Sequence, residues 1–201
     1  MKIQKEQISN FNSNAIESHD ENFDFSTEVL RLVEIYQSLE TIETFKRKLW
    51  KIPLCYDKRF GIDLEMLSNQ KQLEVDEIVE KHSAVRYTVF FVGFLPGFLY
   101  LGGMDKTLIT PRRATPRLKI EKGSVAIGGA QTGIYPMESP GGWHIIGNCP
   151  INFFYISKPE PCFAQAGDSL KFYPISIKEY EDIKALIEAG VYQIESEVLY
   201  D

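Results

Sequence analysis

The sequence predicts an α+β fold with a helix-rich first part up to residue 84 and a β-rich part from residue 85 to residue 201. Apolar residues recur at three- and four-residue steps between Val29 and Leu49, which is typical of an amphipathic helix. From Tyr87 onward, short β-branched and aromatic runs alternate with glycine and proline. That rhythm is typical of an all-β barrel or sandwich.

The first part is predicted to be mostly helical. Residues 1–25 are polar and rich in Asn and Ser, which favours a loose start. Ser26 precedes the long helical pattern, and Pro53 marks a break with a short strand over residues 49–56. Two more helices are predicted from apolar periodicity and capping residues. They cover residues 63–67, with Asp63 as the cap, and residues 73–82, with His82 on the apolar side as a core histidine.

The second part is predicted to consist of short strands and one closing helix. The runs rich in β-branched and aromatic residues are 87–92, 117–120, 124–127, 143–146, 151–156 and 169–172. Ser176 is placed to cap a helix over residues 178–189, which Gly190 ends.

Composition excludes several classes of protein. The net charge of −6 disfavours a general nucleic-acid or anionic-membrane binder. No apolar run reaches the roughly 18 residues of a membrane helix, and the first residues lack a signal peptide's apolar stretch, so we expect a cytoplasmic protein. Cys55, Cys149 and Cys162 are scattered, which argues against a disulfide framework. No histidine or cysteine spacing indicates a metal site.

Glycine and arginine single out residues 93–150. Eleven of the 14 glycines lie between residues 93 and 147, among prolines and aromatic residues, which indicates shaped, rigid loops or the tight turns of a barrel. The same stretch carries six basic and three acidic residues, hence +3 in a chain of −6. Arg112, Arg113 and Arg117 lie within PRRATPR, and guanidinium groups suit carboxylate or phosphate. Each arginine alone is as readily a surface charge, but the trio favours anion recognition.

A polar set between the glycines can hydrogen-bond an amide or a carboxylate; it comprises Gln131, Thr132, Tyr135, Ser139 and His144. His144 could move a proton near neutral pH or be a structural histidine bonded to backbone. It follows Trp143 on a predicted strand, so one of the two faces inward and the other outward. The sequence contains no phosphate-binding loop of the G-x-x-x-x-G-K-[ST] type and no G-x-S-x-G elbow.

Long motifs in this region resemble one family. They are GFLPGFLYLGG (93–103), TPRRATPR (110–117), KGSVAIGGAQTGIYP (122–136), SPGGWHIIG (139–147) and AGDSLKFYPI (166–175). They are similar to the family of the B subunit of prokaryotic ATP-dependent 5-oxoprolinase. That family also includes the KipI histidine-kinase inhibitor, allophanate hydrolase subunit 1 and a carboxyltransferase region of urea carboxylase.

The resemblance implies a small N-terminal α/β domain followed by a cyclophilin-like β-barrel. It implies an enzyme subunit that is inactive alone and works with an A subunit and a C subunit of related fold. The assembled complex would open 5-oxo-L-proline to L-glutamate using ATP with Mg²⁺, and this chain alone would bind no cofactor. We expect a site shared between the B and C subunits.

The resemblance also implies a set of site residues. Those facing the substrate would be Phe94, Pro96, Gly97, Phe98, Gln131, Thr132, Tyr135, Ser139, Gly141 and Gly142. His144, Arg112 and Arg117 are the catalytic candidates, with roles left open. Asn148 stands where the family commonly has Arg, which would remove a cation from the site. The first 45 or so residues match the family poorly, so we expect a shortened small domain.

Two alternatives remain open at this point. A KipI-like chain would inhibit a histidine kinase of the sporulation type without partner subunits. A component of the urea or allophanate pathway would need a biotin-linked partner, because this chain carries no biotin-attachment motif.

Overall fold

The computed structural model describes residues 24–38 and 46–199. The chain divides into two compact units, residues 1–44 and residues 45–201. Helix α1 (Phe25–Ser38) belongs to the first unit and confirms the start of the predicted helical pattern. The predicted loose start falls almost entirely outside the described residues. None of the helices in the described part is long and apolar enough to cross a membrane.

The second unit is built around strands, with three helices and a short 3₁₀ turn in the described part, which confirms a mixed α and β fold. In chain order its elements are β1 (Arg47–Leu54), α2 (Leu64–Lys71), α3 (Val75–Ala84), β2 (Tyr87–Val92), β3 (Leu99–Gly102), the 3₁₀ turn Lys106–Leu108, β4 (Arg117–Ile120), β5 (Ser124–Gly128), β6 (Gln131–Ile134), β7 (Ser139–Gly141), β8 (His144–Asn148), β9 (Ser169–Pro174), α4 (Ile177–Glu188) and β10 (Ser196–Leu199).

Eight of the strands form one sheet in the order β10-β1-β9-β2-β3-β6-β5-β8. Strands β1 and β9 pair in parallel, and the other neighbours are antiparallel. Strands β4 and β7 make a separate two-stranded sheet. Cys55 and Asn148 exchange two backbone hydrogen bonds of 3.0 Å, so the end of β1 meets β8. Among the described strands this single bridge is not extended into a continuous closed barrel.

Each face of the large sheet carries its own apolar cluster, as alternation along the strands requires. The inner cluster packs β1, β3, β5 and β9 against α2 and α3, with Ile52, Leu99 and Ile78 fully buried. The outer cluster consists of Phe98, Ile120, Ala126, Tyr135, Trp143 and Ile145. The sheet is therefore buried on both faces along β3, β6, β5 and β8.

His82 ties α3 to the inner face of the sheet. The Thr132 hydroxyl donates to the Ala126 carbonyl at 3.0 Å, so its oxygen accepts the Nε2–H of His82, also at 3.0 Å. The other ring nitrogen, Nδ1, must then accept from the Tyr56 hydroxyl, 2.7 Å away. His82 is fully buried, and the prediction of a core histidine is confirmed.

Two predictions of secondary structure are wrong. The helical pattern does not continue to Leu49, which is buried in β1 because its strand pairs with β9 and β10. Residues 151–156 form no strand, although Ile151 and Phe153 are buried as isolated anchors of a loop. The domain boundary near residue 84 stays a prediction. Strand β1, which precedes it, shares the large sheet with β9, which follows it.

Strands β2, β4, β5, β8 and β9 and the last helix lie within a residue or two of their predicted bounds. Ser176 caps α4 through a capping box with Glu179, as expected. The sequence patterns do not predict strands β3, β6, β7 and β10. The glycines of β3, β6 and β7 and the short length of all four strands conceal the alternation that marks a strand.

We expect His82 to make the fold acid-sensitive. Burial lowers the pKa of its imidazole from 6.5 to about 3, so between those values the unfolded chain binds the extra proton. The free energy of unfolding then falls as pH falls, by up to about 1.4 kcal/mol per pH unit from this group. His82→Gln should show a shallower fall in urea unfolding between pH 6.5 and about 4.5. Equal slopes for the two proteins would contradict this assignment.

Candidate functional site

One buried carboxylate holds the arginine-bearing loop in place. Residues 111–116 form this arginine loop. The carboxylate of Asp63 accepts hydrogen bonds from both terminal nitrogens of Arg117, at 2.7 and 2.8 Å. It also accepts a hydrogen bond from the backbone N–H of Ile145 at 2.7 Å. Arg113 lies 3.7 Å from the same carboxylate. Asp63 thereby joins the start of α2, the start of β8 and both sides of the loop.

Sequence reasoning missed this role of Asp63. The residue does occupy the N-cap position of α2, but its side chain makes no capping hydrogen bond. It is 4% exposed, and two arginines compensate its charge. An aspartate before a helix carries no signal for a partner 54 positions away.

Six aromatic rings form a continuous set of ring contacts on the outer face of the sheet. This aromatic platform consists of Phe91, Phe94, Phe98, Tyr100, Tyr135 and Trp143. Phe98 is its centre, with ring centroids 4.7 to 5.8 Å from Tyr100, Tyr135, Phe94 and Trp143. Phe91 stacks on Tyr100 at 5.0 Å and extends the surface to solvent. Such contacts add about 0.5–1.5 kcal/mol each beyond area burial, so the platform is a rigid feature.

Glycines under the rings let the platform lie flat on the sheet. A Cβ at Gly133 would lie 2.9 Å from the Trp143 ring and from the Leu99 carbonyl oxygen. A Cβ at Gly128 would overlap the Trp143 ring, and one at Gly141 would overlap the Tyr135 hydroxyl. Much of the glycine enrichment thus reflects close ring-to-backbone packing.

Arg112 and Gln131 supply polar groups at the edge of the platform. Arg112 is exposed and its guanidinium lies 5.4 Å from the Trp143 ring centroid, a cation–π contact. Gln131 is half-buried and, by alternation with Thr132, lies on the outer face. Burial raises the pKa of Tyr135 to about 12, so its phenol stays protonated and can donate. Phe98, Tyr135 and Trp143 are at most 4% exposed, so the parts of the platform that can meet a ligand or partner are the rings of Phe91 and Phe94 and the guanidinium of Arg112.

A groove borders the platform beside the FLPG turn. It has a volume of about 450 Å³, and its lining includes Phe94, Pro96, Gly97, Phe154 and Cys162. Gly97 adopts φ +83°, and a Cβ there would lie 3.0 Å from the Phe153 carbonyl oxygen, so glycine is required. Phe94 holds φ +70°, a strained value for a side chain of this size, and its ring is 63% exposed.

Several residues of the predicted site lie elsewhere. The Thr132 hydroxyl belongs to the His82 network in the core. Arg117 is engaged by Asp63. Ser139 is 8% exposed and donates to the Pro140 carbonyl. His144 lies on the opposite face of β8 from Trp143, where its Nε2–H donates to the Pro111 carbonyl at 2.9 Å.

Gly141 and Gly142 support the arginine loop, with Gly142 accepting the Arg113 N–H at 2.8 Å. The platform therefore gathers Phe94, Phe98, Gln131, Tyr135 and Arg112 from the predicted set. It adds Phe91, Tyr100 and Trp143. These aromatic residues lie in or beside glycine-rich motifs, and that position could have indicated them in the sequence.

Asn148 lies at the far end of β8 from the arginine loop. Its side chain donates to the Lys122 carbonyl at 2.9 Å and accepts the Tyr180 hydroxyl at 3.0 Å. It is 3% exposed. Four residue steps along the strand, or about 13 Å, separate it from His144. Asn148 thus fastens α4 to the sheet at a distance from the platform.

The fold and these motifs define a domain of a known class. Residues 2–164 match the family described as the carboxyltransferase domain, subdomain C and D. The chain belongs to this family, which confirms the resemblance stated above. It is 42% identical over 154 residues to the B subunit of 5-oxoprolinase from Bacillus subtilis (strain 168), covering 77% of this chain and 62% of that protein. It is 43% identical over 144 residues to the protein of the same name from Escherichia coli O157:H7, covering 72% and 66%.

A solved structure agrees with the sequence relatives. A conserved uncharacterized protein from Pyrococcus horikoshii is 44% identical, with a TM-score of 0.64, over 78% of this chain and 68% of that one. The chain spans somewhat less than two thirds of the length of the two curated relatives above.

We expect Asp63→Asn to release the arginine loop. The change leaves Arg117, Arg113 and the Ile145 N–H without their shared acceptor, and breaking a buried ion pair costs about 3 kcal/mol or more. Urea unfolding measures the loss, and amide hydrogen exchange at Arg113 should accelerate. Glu138→Gln is the control, because it breaks only the exposed pair with Lys119. Equal effects of the two changes would disprove the role of Asp63.

We expect Gly133→Ala to disturb the platform. The added methyl meets a backbone oxygen that cannot move aside, so a destabilisation of about 1–3 kcal/mol is expected, with altered near-ultraviolet circular dichroism of the aromatic residues. Gly142→Ala is matched to it, because the atom nearest to its added methyl, the Arg113 carbonyl oxygen, is 3.6 Å away. A Gly133→Ala protein as stable as Gly142→Ala would contradict the packing argument.

Proposed function

We propose that this chain acts as the B subunit of a 5-oxoprolinase and contributes the aromatic platform to a site shared with a partner subunit. The observation that carries the proposal is the make-up of the platform. Its accessible groups are the rings of Phe91 and Phe94, the Arg112 guanidinium and the half-buried Gln131 amide, and the described residues on it include no nucleophile paired with a base. Such a surface binds and orients a substrate, and a second chain must supply the remaining groups.

The chemistry of 5-oxo-L-proline suits these groups. Its carboxylate can pair with the exposed Arg112, and its amide can hydrogen-bond the half-buried Gln131. In the proposed reaction the assembled complex hydrolyses ATP, bound with Mg²⁺, to open the lactam to L-glutamate.

We assign the ATP site to a partner chain. Gly128 ends β5 and Gly129 begins the turn to β6, and neither precedes a helix, so their N–H groups lack the usual phosphate-binding context. The A and C subunits and a cytoplasmic location are part of the same proposal. So is a cyclophilin-like barrel, for which the bridge between Cys55 and Asn148 is the supporting contact.

A second candidate is a KipI-like inhibitor of a histidine kinase. The observation that favours it is the exposure of Phe90, Phe91 and Phe94, at 59%, 53% and 63%, since such a cluster fits a protein partner. A partner subunit would cover the same cluster. Inhibition of kinase autophosphorylation by this chain alone would support the second candidate against the first.

The test is reconstitution of this chain with its A and C partner subunits. Lactam-dependent ATP hydrolysis is expected from the full mixture, and Arg112→Ala should reduce it by at least about tenfold with little change in stability. Arg59→Ala is the matched control, because Arg59 is also an exposed arginine over a ring, 5.7 Å from Phe60. No activity from a mixture of folded subunits, or equal loss in both variants, would refute the proposal.

A further inference from the structure

A β-bulge in β2 places two neighbouring phenylalanines on the same face of the sheet. Val89 is buried, but the register shifts after it, so that Phe91 opposes Tyr100 and Phe90 is left without a partner. Phe91 stacks on Tyr100, which lies on the outer face. A Cβ at Gly102 would overlap the Phe90 ring, so this ring also lies on that face. Strict alternation would have turned one of the two rings inward.

Phe94 exposes a third ring on a strained backbone. Its φ of +70° lies in the left-handed region, which a bulky side chain rarely adopts. The fold gives this ring little burial in return, because the residue is 63% exposed and meets the Phe98 ring edge-on at a centroid distance of 5.7 Å. A strained residue with an exposed side chain indicates a function outside the stability of the free chain.

Phe90, Phe91 and Phe94 together form the phenylalanine patch. Each is more than half exposed, and the Phe91 ring lies over Gly93, the residue before Phe94. With about 150–250 Å² for each phenylalanine, the exposed parts amount to roughly 350 Å². That is the size of the largest apolar patch on a typical monomer, about 300–600 Å². It is also nearly half of the about 800 Å² that one side of a stable protein interface buries, so the patch fits the centre of such an interface.

Charge indicates the kind of partner that fits the patch. Residues 87–103, which contain it, include no charged side chain, and the core of a protein interface is likewise depleted of charge. The matching surface is therefore apolar and uncharged. A second copy of this chain is disfavoured as the occupant, because each copy has a net charge of −6 and the two would repel each other.

We propose that the phenylalanine patch is where a partner subunit docks, and that Phe94 is held in its strained conformation as the anchor of this contact. The inference rests on the proposed function, which supplies the partner. The partner covers the three rings with an uncharged apolar face, and one of its apolar side chains enters the groove lined by Pro96 and Phe154. Arg112 lies beyond Trp143 from the patch, so it stays available to the substrate.

The test is calorimetric titration of the whole chain with the isolated C subunit and, separately, with the isolated A subunit. One of them is expected to bind with a negative heat-capacity change, the mark of apolar burial. Phe94→Gly and Phe91→Ala should each weaken this binding at least about tenfold. Val191→Ala is the matched control, because Val191 is also 63% exposed but follows α4, which Asn148 fastens away from the platform.

The strain is tested on the free chain by comparing two variants that both remove the ring. Glycine is normally less stabilising than alanine, because it gives the unfolded chain more freedom. At a positive φ the order reverses, so Phe94→Gly should unfold at a higher urea concentration than Phe94→Ala. An alanine variant as stable as the glycine variant would show that the backbone holds no strain, and the anchor would be refuted.

Binding by Phe94→Gly as tight as that of Val191→Ala would overturn the proposal. So would self-association of the unaltered chain through Phe94 in analytical ultracentrifugation, since the occupant would then be a second copy. Lactam-dependent ATP hydrolysis is measured in the same mixtures. An inactive complex that assembles through Phe94 refutes the proposed function alone, and an active one that assembles without Phe94 refutes this inference alone. Failure of both subunits to bind refutes both.

Discussion

The Asp63 carboxylate is the interaction on which the functional surface depends. Its oxygens receive hydrogen bonds from Arg117 and Ile145, which belong to the loop side and the strand side of the same surface. The buried charge is tolerated because the Arg117 fork matches it in geometry and sign. Through Asp63 the start of α2 is joined by hydrogen bonds to both β4 and β8.

Trp143 and Arg112 take their places from this anchor. The backbone is held on both sides of Trp143. Before it, the Gly142 carbonyl accepts the Arg113 N–H, and after it, the Ile145 N–H donates to Asp63. Arg112 follows Pro111, whose carbonyl is bound by His144. Backbone hydrogen bonds of Pro111 and Arg113, the two neighbours of Arg112, thus hold its guanidinium over the indole.

Part of this arrangement can be predicted from the sequence. Strand β2 and helix α4 are predictable because local pattern and capping residues decide them. The composition of the arginine loop indicates a functional segment, but it does not sort the three arginines. Arg112 lies over the Trp143 ring, Arg113 has a buried Nε without a hydrogen-bond partner, and Arg117 is paired with Asp63. These different roles depend on partners that are distant in sequence, so the local sequence does not predict them.

The same limit applies to strands and glycines. Strand β6 resembles a loop in sequence because Gly133 interrupts its pattern, yet that glycine is needed for the Trp143 ring to approach the sheet. The local sequence indicates loop residues at these glycines, but it does not show the aromatic rings that pack against some of them. The ring that requires Gly133 comes from outside β6, so the pattern of that strand alone contains no sign of it.

The two faces of β8 explain why binding groups and titratable groups are separated in this chain. Trp143 faces the platform, and the neighbouring His144 lies on the other face, where it donates to the Pro111 carbonyl, because successive side chains of a strand point to opposite sides. No single small ligand on the platform can therefore touch the imidazole directly. In the proposed function, the groups that complete the reaction therefore come from another chain. That separation is the structural reason for placing the proposed chemistry at a shared surface.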